Sequence, residues 1–232
     1  MEGFGAFYEL EIACRGIPDG HSGYIVNISS LDQVIRREAL PEIQAAVHDR
    51  YGQTPAAVLR RIAMRIAERA LPGITVLRWR LSPFYSLELE TEDVNRIMMT
   101  QQFSFSAAHR LNCDGLSPEQ NRALFGKCNN LHGHGHNYRL EVTVAASLEP
   151  EPDAQIPSVS LMDEVVDRHV IQRFDHRHLN LDVAEFAQLN PSVENIARVC
   201  HDLLFEPLGS VGLALRSVTV WETEKTRCTY ST

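Results

Sequence analysis

The sequence predicts an α+β protein that repeats one structural plan in tandem. Three observations carry this. The alternating segment FYELEIACR (residues 7–15) has a counterpart in YRLEVTVAAS, and the helix signal at Thr54-Pro55 has one in Asn190-Pro191-Ser192. The strand pair ITVLRWRLSPFYSLELE returns as LRSVTVWETEKTRCTY. Each unit then reads as a strand, two helices and a strand pair, an internal repeat that sets the fold class. A chain of 232 residues is long enough for two small domains. We place them at residues 1–96 and 97–232, with TEDVNRIM (residues 91–98) as the link.

In chain order, period-two alternation marks residues 7–15 as a strand, and GIPDGHSG is turn-rich. Ser30 is the expected cap of the next helix, which presents Leu31, Val34 and Ile35 on one face and breaks at Pro41. Thr54-Pro55 is a cap followed by proline at the first helical position. Val58, Leu59, Ile62, Ile66 and Ala70 follow at helical spacing, and Pro72-Gly73 ends the run. Two strands flank Ser82-Pro83. The second unit carries an additional first strand, residues 100–110, followed by YRLEVTVAAS, the helical VSLMDEVVDRHVIQRF, the helix after Ser192 and a last strand pair.

Composition narrows the function classes. Apolar residues make up 44%, enough for a real core, and the net charge is −8. Without a dense basic run, neither nucleic acid nor an anionic membrane is expected as the main partner. No apolar run reaches the 18 or so residues of a membrane-spanning helix. The N-terminus lacks the basic start of a signal peptide. Five scattered cysteines form no disulfide framework, so a reduced cytoplasm is expected.

The chemistry concentrates in Gly126-Lys127-Cys128-Asn129-Asn130-Leu131-His132-Gly133-His134-Gly135-His136-Asn137-Tyr138. A strand starting here turns His134 and His136 to the same face. The upstream strand FSFSAAHR ends in His109. If the two strands pair, three imidazoles meet with one position open, the usual catalytic zinc arrangement. A His/Gly-rich loop that binds metal only adventitiously is the bland alternative.

FSAAHRL, LFGKCNN, HGHNY, FDHRHLN and WETEK occur in that order, and with them the chain resembles the 6-pyruvoyltetrahydropterin synthase family over about residues 98–232. The 6-carboxytetrahydropterin synthases of the queuosine pathway share that fold. The resemblance implies tandem tunnelling-fold (T-fold) units, each an antiparallel sheet with two helices packed on one face. It also implies a homo-oligomer with sites at subunit interfaces. The implied reaction is that of a carbon–oxygen lyase, which eliminates triphosphate from 7,8-dihydroneopterin triphosphate with zinc as cofactor.

By the same resemblance, zinc is held by His109, His134 and His136. Cys128 is the base, and Asp175 orients His176 to relay its proton. Glu222 anchors the pterin, with Glu194 and Ser192 as further contacts. Val193 departs from a threonine usual in the family. Lys127, Arg110, Arg177 and Lys225 are candidates for phosphate contacts, and His178 for fold support. One ambiguity remains open in the sequence. Counting five residues after Cys128 selects His134 and His136, the pyruvoyl frame, whereas counting three selects His132 and His134, the carboxy frame. Asn137-Tyr138 and LFGKCNN favour the first. Formation of 6-carboxytetrahydropterin with release of acetaldehyde is the alternative reaction, and a non-catalytic pterin-binding protein is the alternative class.

Residues 1–96 contain no counterpart of His109 or of the HGH run, and we align Arg80 with Glu222. This half has eleven arginines and no lysine against thirteen acids, a balance of −2 against −6 for the rest. It reads as a degenerate, non-catalytic repeat, with His21 and His48 isolated.

Overall fold

The computed structural model describes residues 8–48, 53–69, 73–149 and 158–231; Phe7, Ala70 and Pro72 of the expected elements lie outside them. The chain divides into two compact units. One comprises Met1–Thr100 with Ala145–Pro157, the other Gln101–Val144 with Ser158–Thr232.

The first unit holds β1 (Glu9–Cys14), α1 (Ile28–Glu38), α2 (Leu40–His48), α3 (Pro55–Ala67), β2 (Ile74–Ser82) and β3 (Tyr85–Glu90). The strands pair antiparallel in the order β1-β2-β3. Thr54 caps α3 by accepting from the Ala57 N–H, and Pro55 opens the helix. Val58, Leu59, Ile62 and Ile66 are buried, as are Leu77, Trp79, Leu87 and Leu89 of the strands. This is the apolar stripe of a helix laid on the apolar face of a sheet.

One expectation for this unit is corrected, the cap of α1, and one is met, the break at Pro41, since α1 ends at Glu38 and a new helix starts at Leu40. The cap of α1 is Asn27, whose side chain accepts from the Ser30 N–H. Asn27 has the extended backbone a cap requires, while Ser30 already lies in the first turn. Pro41 lies in the first turn of α2, where its missing N–H leaves no helical bond unmade. The buried Glu38 is matched by Arg37, Arg65 and Arg69, which tie α1 to α3 and to the residues just after it.

Next come β4 (Arg96–His109), α4 (Pro118–Phe125), β5 (His134–Ser147), α5 (Val159–Val166), α6 (Gln172–Phe174), β6 (Arg177–His178), α7 (Leu179–Asp182), α8 (Val193–Ser210), β7 (Ala214–Thr223) and β8 (Thr226–Ser231). The strand order is β4-β5-β7-β8, and the short β6 runs parallel to β4 at Ala107 and Ala108. One face of α8 buries Ile196, Ala197, Cys200, Leu204 and Leu208, and the helix packs on β7 and β8. Phe105 stacks on Tyr138 with centroids 5.0 Å apart, and Phe174 meets Phe105 edge-on.

β4 starts at Arg96, so residues 96–98 of the expected link are already strand, with Ile97 and Met99 buried. α4 was not anticipated, although Ser117-Pro118 with Gln120 forms a full capping box. The two terminal hairpins share a register. In one Ser82 faces Tyr85, in the other Thr223 faces Thr226, and each has its irregularity just before the turn. Aligning them places Leu81 opposite Glu222 and Arg80 opposite Trp221, one residue away from the sequence alignment. Composition could not reveal that single-residue offset.

Candidate functional site

Alternation along β4 turns Phe105, Ala107 and His109 toward the buried face. β5 does the same for His134, His136, Tyr138 and Leu140. The strand begins at His134, so both histidines take its period of two. The ligand atoms of His109, His134 and His136 all lie within 4.8 Å of one another. His109 Nε2 and His134 Nε2 are 3.3 Å apart. That is about the N···N edge, roughly 3.3 Å, of a tetrahedron with metal–nitrogen bonds of about 2.0 Å.

The donor set fits a cation in two further respects. His109 Nδ1–H donates to the Pro191 carbonyl at 2.8 Å, which leaves Nε2 as the lone pair facing the cluster. His136 Nε2 is buried without a hydrogen-bond partner among the described residues. His109, with no exposed surface, is pushed down from 6.5 to about 4, first by burial and then by the neighbouring imidazoles. His134 is lowered by burial and by His136. Neutral imidazoles are what metal ligation requires. His132 is exposed and stands outside the cluster.

Glu222, at the register irregularity near the end of β7, reaches this cluster. Its Oε1 is 3.3 Å from His109 Nε2 and 3.7 Å from His136 Nε2. Cys128 lies in the same neighbourhood, with its thiol pushed up by burial and by the Glu222 charge. Burial raises the Tyr138 phenol as well, with Glu222 and Cys128 as further causes, and its hydroxyl has no hydrogen-bond partner among the described residues.

The loops that hold these groups are tied by asparagines, which sequence reasoning missed. The Leu111 N–H donates to the Cys128 carbonyl at 2.8 Å, and the Asn129 amide donates to the Leu111 carbonyl at 2.7 Å. The Asn180 side chain bridges the backbone of Arg110 on both sides. Asn190 accepts from the Asn112 N–H at 3.1 Å. Cys128 is thereby fixed against the segment that follows His109. A run of asparagines in turns was the available signal.

Asp175 and His176 pair with each other but stand apart from Cys128. Asp175 accepts from the Ser106 N–H and from His176 Nδ1, both at 2.8 Å. These bonds, the Ser106 one first, hold its carboxyl below the usual range. His176 has φ of 56° and an 83% exposed side chain. Among the described residues no hydrogen bond, ion pair or ring contact links it to Cys128. Ser192 caps α8 through the Asn195 N–H, and Glu194 is exposed in the first turn; the Cys228 thiol is raised first by burial and then by the Glu194 charge. His178 packs against Gly133.

A cavity of about 930 Å³ opens beside His134, between α4 and the loops around Arg110 and Asn130. No helix of the described residues is long and apolar enough to cross a membrane.

An antiparallel sheet with helices packed on it and three imidazoles converging on one face defines a T-fold protein with a metal-ligand cluster. The model of the family "6-pyruvoyl tetrahydropterin synthase" matches residues 98–232, and the chain belongs to that family. Over 132 residues it is 38% identical to human 6-pyruvoyl tetrahydrobiopterin synthase, covering 57% of this chain and 89% of that protein. The Drosophila melanogaster synthase is 36% identical, at 57% and 77% coverage. The Caenorhabditis elegans 6-pyruvoyl tetrahydropterin synthase structure matches with TM-score 0.50 and 34% identity, over 59% of this chain and 96% of that one. Uricase from Arthrobacter globiformis, 7% identical with TM-score 0.50, shares the fold over 97% of this chain and 84% of its own.

Proposed function

We propose that the protein is a cytoplasmic, zinc-dependent lyase of the 6-pyruvoyltetrahydropterin synthase type, acting on 7,8-dihydroneopterin triphosphate in a homo-oligomer. The observation that carries this reading is the meeting of His109, His134 and His136 with Glu222, close to Cys128 in the turn that precedes β5. Zinc held by the three histidines would polarise a side-chain hydroxyl of the substrate and supply positive charge beside the thiol.

This chain's residues divide the remaining work. The Glu222 carboxylate accepts from the amidine-like edge of the pterin, a bidentate contact that fixes the ring. Cys128 takes the carbon-bound proton once its thiol is ionised. Asp175 holds His176 by Nδ1, so the other ring nitrogen faces outward to relay that proton. Since His176 is exposed and makes no contact with Cys128 of its own chain, it serves the Cys128 of a neighbouring copy. The first unit is a non-catalytic repeat. Its hairpin carries Leu81 at the position of Glu222, and Arg80 there is paired with Glu11.

The test is to incubate zinc-loaded protein with 7,8-dihydroneopterin triphosphate and weigh the product. Triphosphate and the pyruvoyl pterin are expected. Unchanged substrate, or a carboxy pterin with acetaldehyde, would refute the proposal.

A further inference from the structure

We propose that Arg139, Trp221 and Arg227 form an oxyanion site on the sheet face opposite the metal-ligand cluster, where they take the phosphate group of a small ligand. The site stands apart from the lyase reading. None of its residues belongs to the histidine cluster or lines the cavity beside His134.

Strand register puts the three side chains in a row. Trp221 of β7 lies directly opposite Arg227 of β8, and β5, which carries Arg139, borders β7 on its other side. Along β5, Arg139 alternates with the buried Tyr138 and Leu140, so it leaves the sheet on the other face from His134 and His136. The guanidinium carbon of Arg139 is 4.5 Å from the centre of the indole ring, and that of Arg227 is 5.7 Å from it. Both fall inside the roughly 6 Å reach of a cation–π contact.

The two cations are held but not neutralised. A ring contact positions a guanidinium and leaves its charge in place. Neither arginine has an ion pair among the described residues. Glu141, the one acid of β5, accepts instead from Gln102 Nε2 at 2.8 Å. Arg139 Nε is enclosed, with no hydrogen-bond partner among the described residues, so a donor at the site lacks its acceptor.

The first unit resolves the same problem internally. In its hairpin Arg80 stands where the second has Trp221, and it pairs with Glu9 and Glu11. Arg78 beside it pairs with Glu11 and Glu88. Three carboxylates thus serve two arginines there, whereas Arg139 and Arg227 have none. In a chain of net charge −8 this bare pair calls for an anion from outside. A carboxylate offers two oxygens and a single charge, enough for one guanidinium fork. A phosphate group offers three oxygens and close to two charges, enough for both.

Tryptophan emission reads the site directly. The chain has two tryptophans, and Trp79 is 3% exposed within the first unit, so a ligand-induced change reports Trp221. Inorganic phosphate is titrated into the full, zinc-loaded protein at about 0.15 M NaCl, which screens diffuse attraction. A saturable change is expected, and it should vanish in Trp221→Phe. Arg139→Gln and Arg227→Gln should each weaken binding about tenfold or more, as loss of a charge-assisted contact does. Arg227 is exposed, so its variant should keep the wild-type melting temperature. Arg198→Gln, at an exposed position of α8, should bind as wild type. Ribose 5-phosphate should bind as inorganic phosphate does, because only the phosphate group is read.

A response that does not saturate, one that persists in Trp221→Phe, binding unaffected by Arg227→Gln, or an equal loss in Arg198→Gln would each overturn the site. A tenfold preference for the sugar phosphate would overturn the assignment to the phosphate group alone.

Discussion

His109 Nδ1 donates to the carbonyl of Pro191 at 2.8 Å, so the loop ahead of α8 sets which nitrogen of a β4 histidine faces the cluster. With the tautomer fixed, Nε2 is the free lone pair, next to the nitrogens of His134 and His136. His109→Ala and His136→Ala should each lose the bound zinc, whereas His132→Ala should retain a full equivalent. Metal content after dialysis, measured by elemental analysis, decides this. Loss in His132→Ala with retention in His136→Ala would move the ligand frame two residues upstream.

Gly133 has φ of 72°, a conformation that costs other residues about 1–2 kcal/mol. A Cβ there would also meet His178 Nε2 at 2.6 Å and the His109 carbonyl at 2.8 Å. Gly133→Ala therefore strains the backbone and pushes on the histidine loop together. We expect stability to fall by about 2–3 kcal/mol in urea unfolding, with weaker zinc binding. Gly135, where an added Cβ would only touch the Ala107 carbonyl at 3.6 Å, is the control and should tolerate alanine far better.

Burial keeps His109 neutral in the folded chain down to about 4, against 6.5 for the free imidazole. Between those values the unfolded chain binds a proton that the folded one excludes. Stability is therefore full above about 6.5 and is lost as pH falls toward 4, by up to about 3 kcal/mol from this residue. His134, lowered for the same reason, adds to the loss in the same direction. Urea midpoints of the metal-free protein at pH 7.5 and 4.5 measure it. A His109→Leu variant should show a flatter dependence.

Why part of this was legible in the sequence and part was not follows from the range of the interactions. The strand period turns His134 and His136 to one side, and Thr54-Pro55 caps α3, because both depend only on near neighbours. The contact of His109 with Pro191 spans 82 positions and uses a carbonyl, a group every residue carries. The grouping of Cys128 with Glu222 depends on β5 and β7 lying side by side, a long-range pairing that local alternation does not specify. The offset between Arg80 and Leu81 has the same origin. A one-residue change of register exchanges the faces of a strand, and only the paired hairpin fixes it.

Asp175 and His176 pair with each other on the Ser106 side of β4, with no contact to Cys128 of the same chain. If the relay works between copies, Cys128→Ala and His176→Ala homo-oligomers should each lose about 100-fold or more in kcat, the usual worth of a positioned acid–base group. Zinc should stay bound in both. Mixing the two variants under conditions that exchange subunits should restore part of the activity, since some sites then combine an intact Cys128 with an intact His176. Absence of recovery, with exchange verified by native mass spectrometry, would place the relay within one chain or remove His176 from it.

Glu222 offers a test in which one substitution moves two readouts in opposite directions. Its charge, after burial, is a cause of the raised Cys128 thiol. Glu222→Gln keeps the shape and removes the charge, so in the metal-free protein Cys128 should ionise more readily and react faster with iodoacetamide at pH 8. The same variant loses the carboxylate that accepts from the pterin. Hydrogen bonds to a charged partner are worth about 1.5–3 kcal/mol each, so pterin binding should weaken by roughly 10- to 150-fold. The melting temperature should stay near that of wild type, because the ion pairs of this 14% exposed side chain among the described residues are with the cluster histidines His109 and His136. A general structural defect would speed alkylation but also lower the melting temperature. Unchanged alkylation would mean that Glu222 does not act on the thiol, and unchanged pterin affinity would mean that the ring is anchored elsewhere.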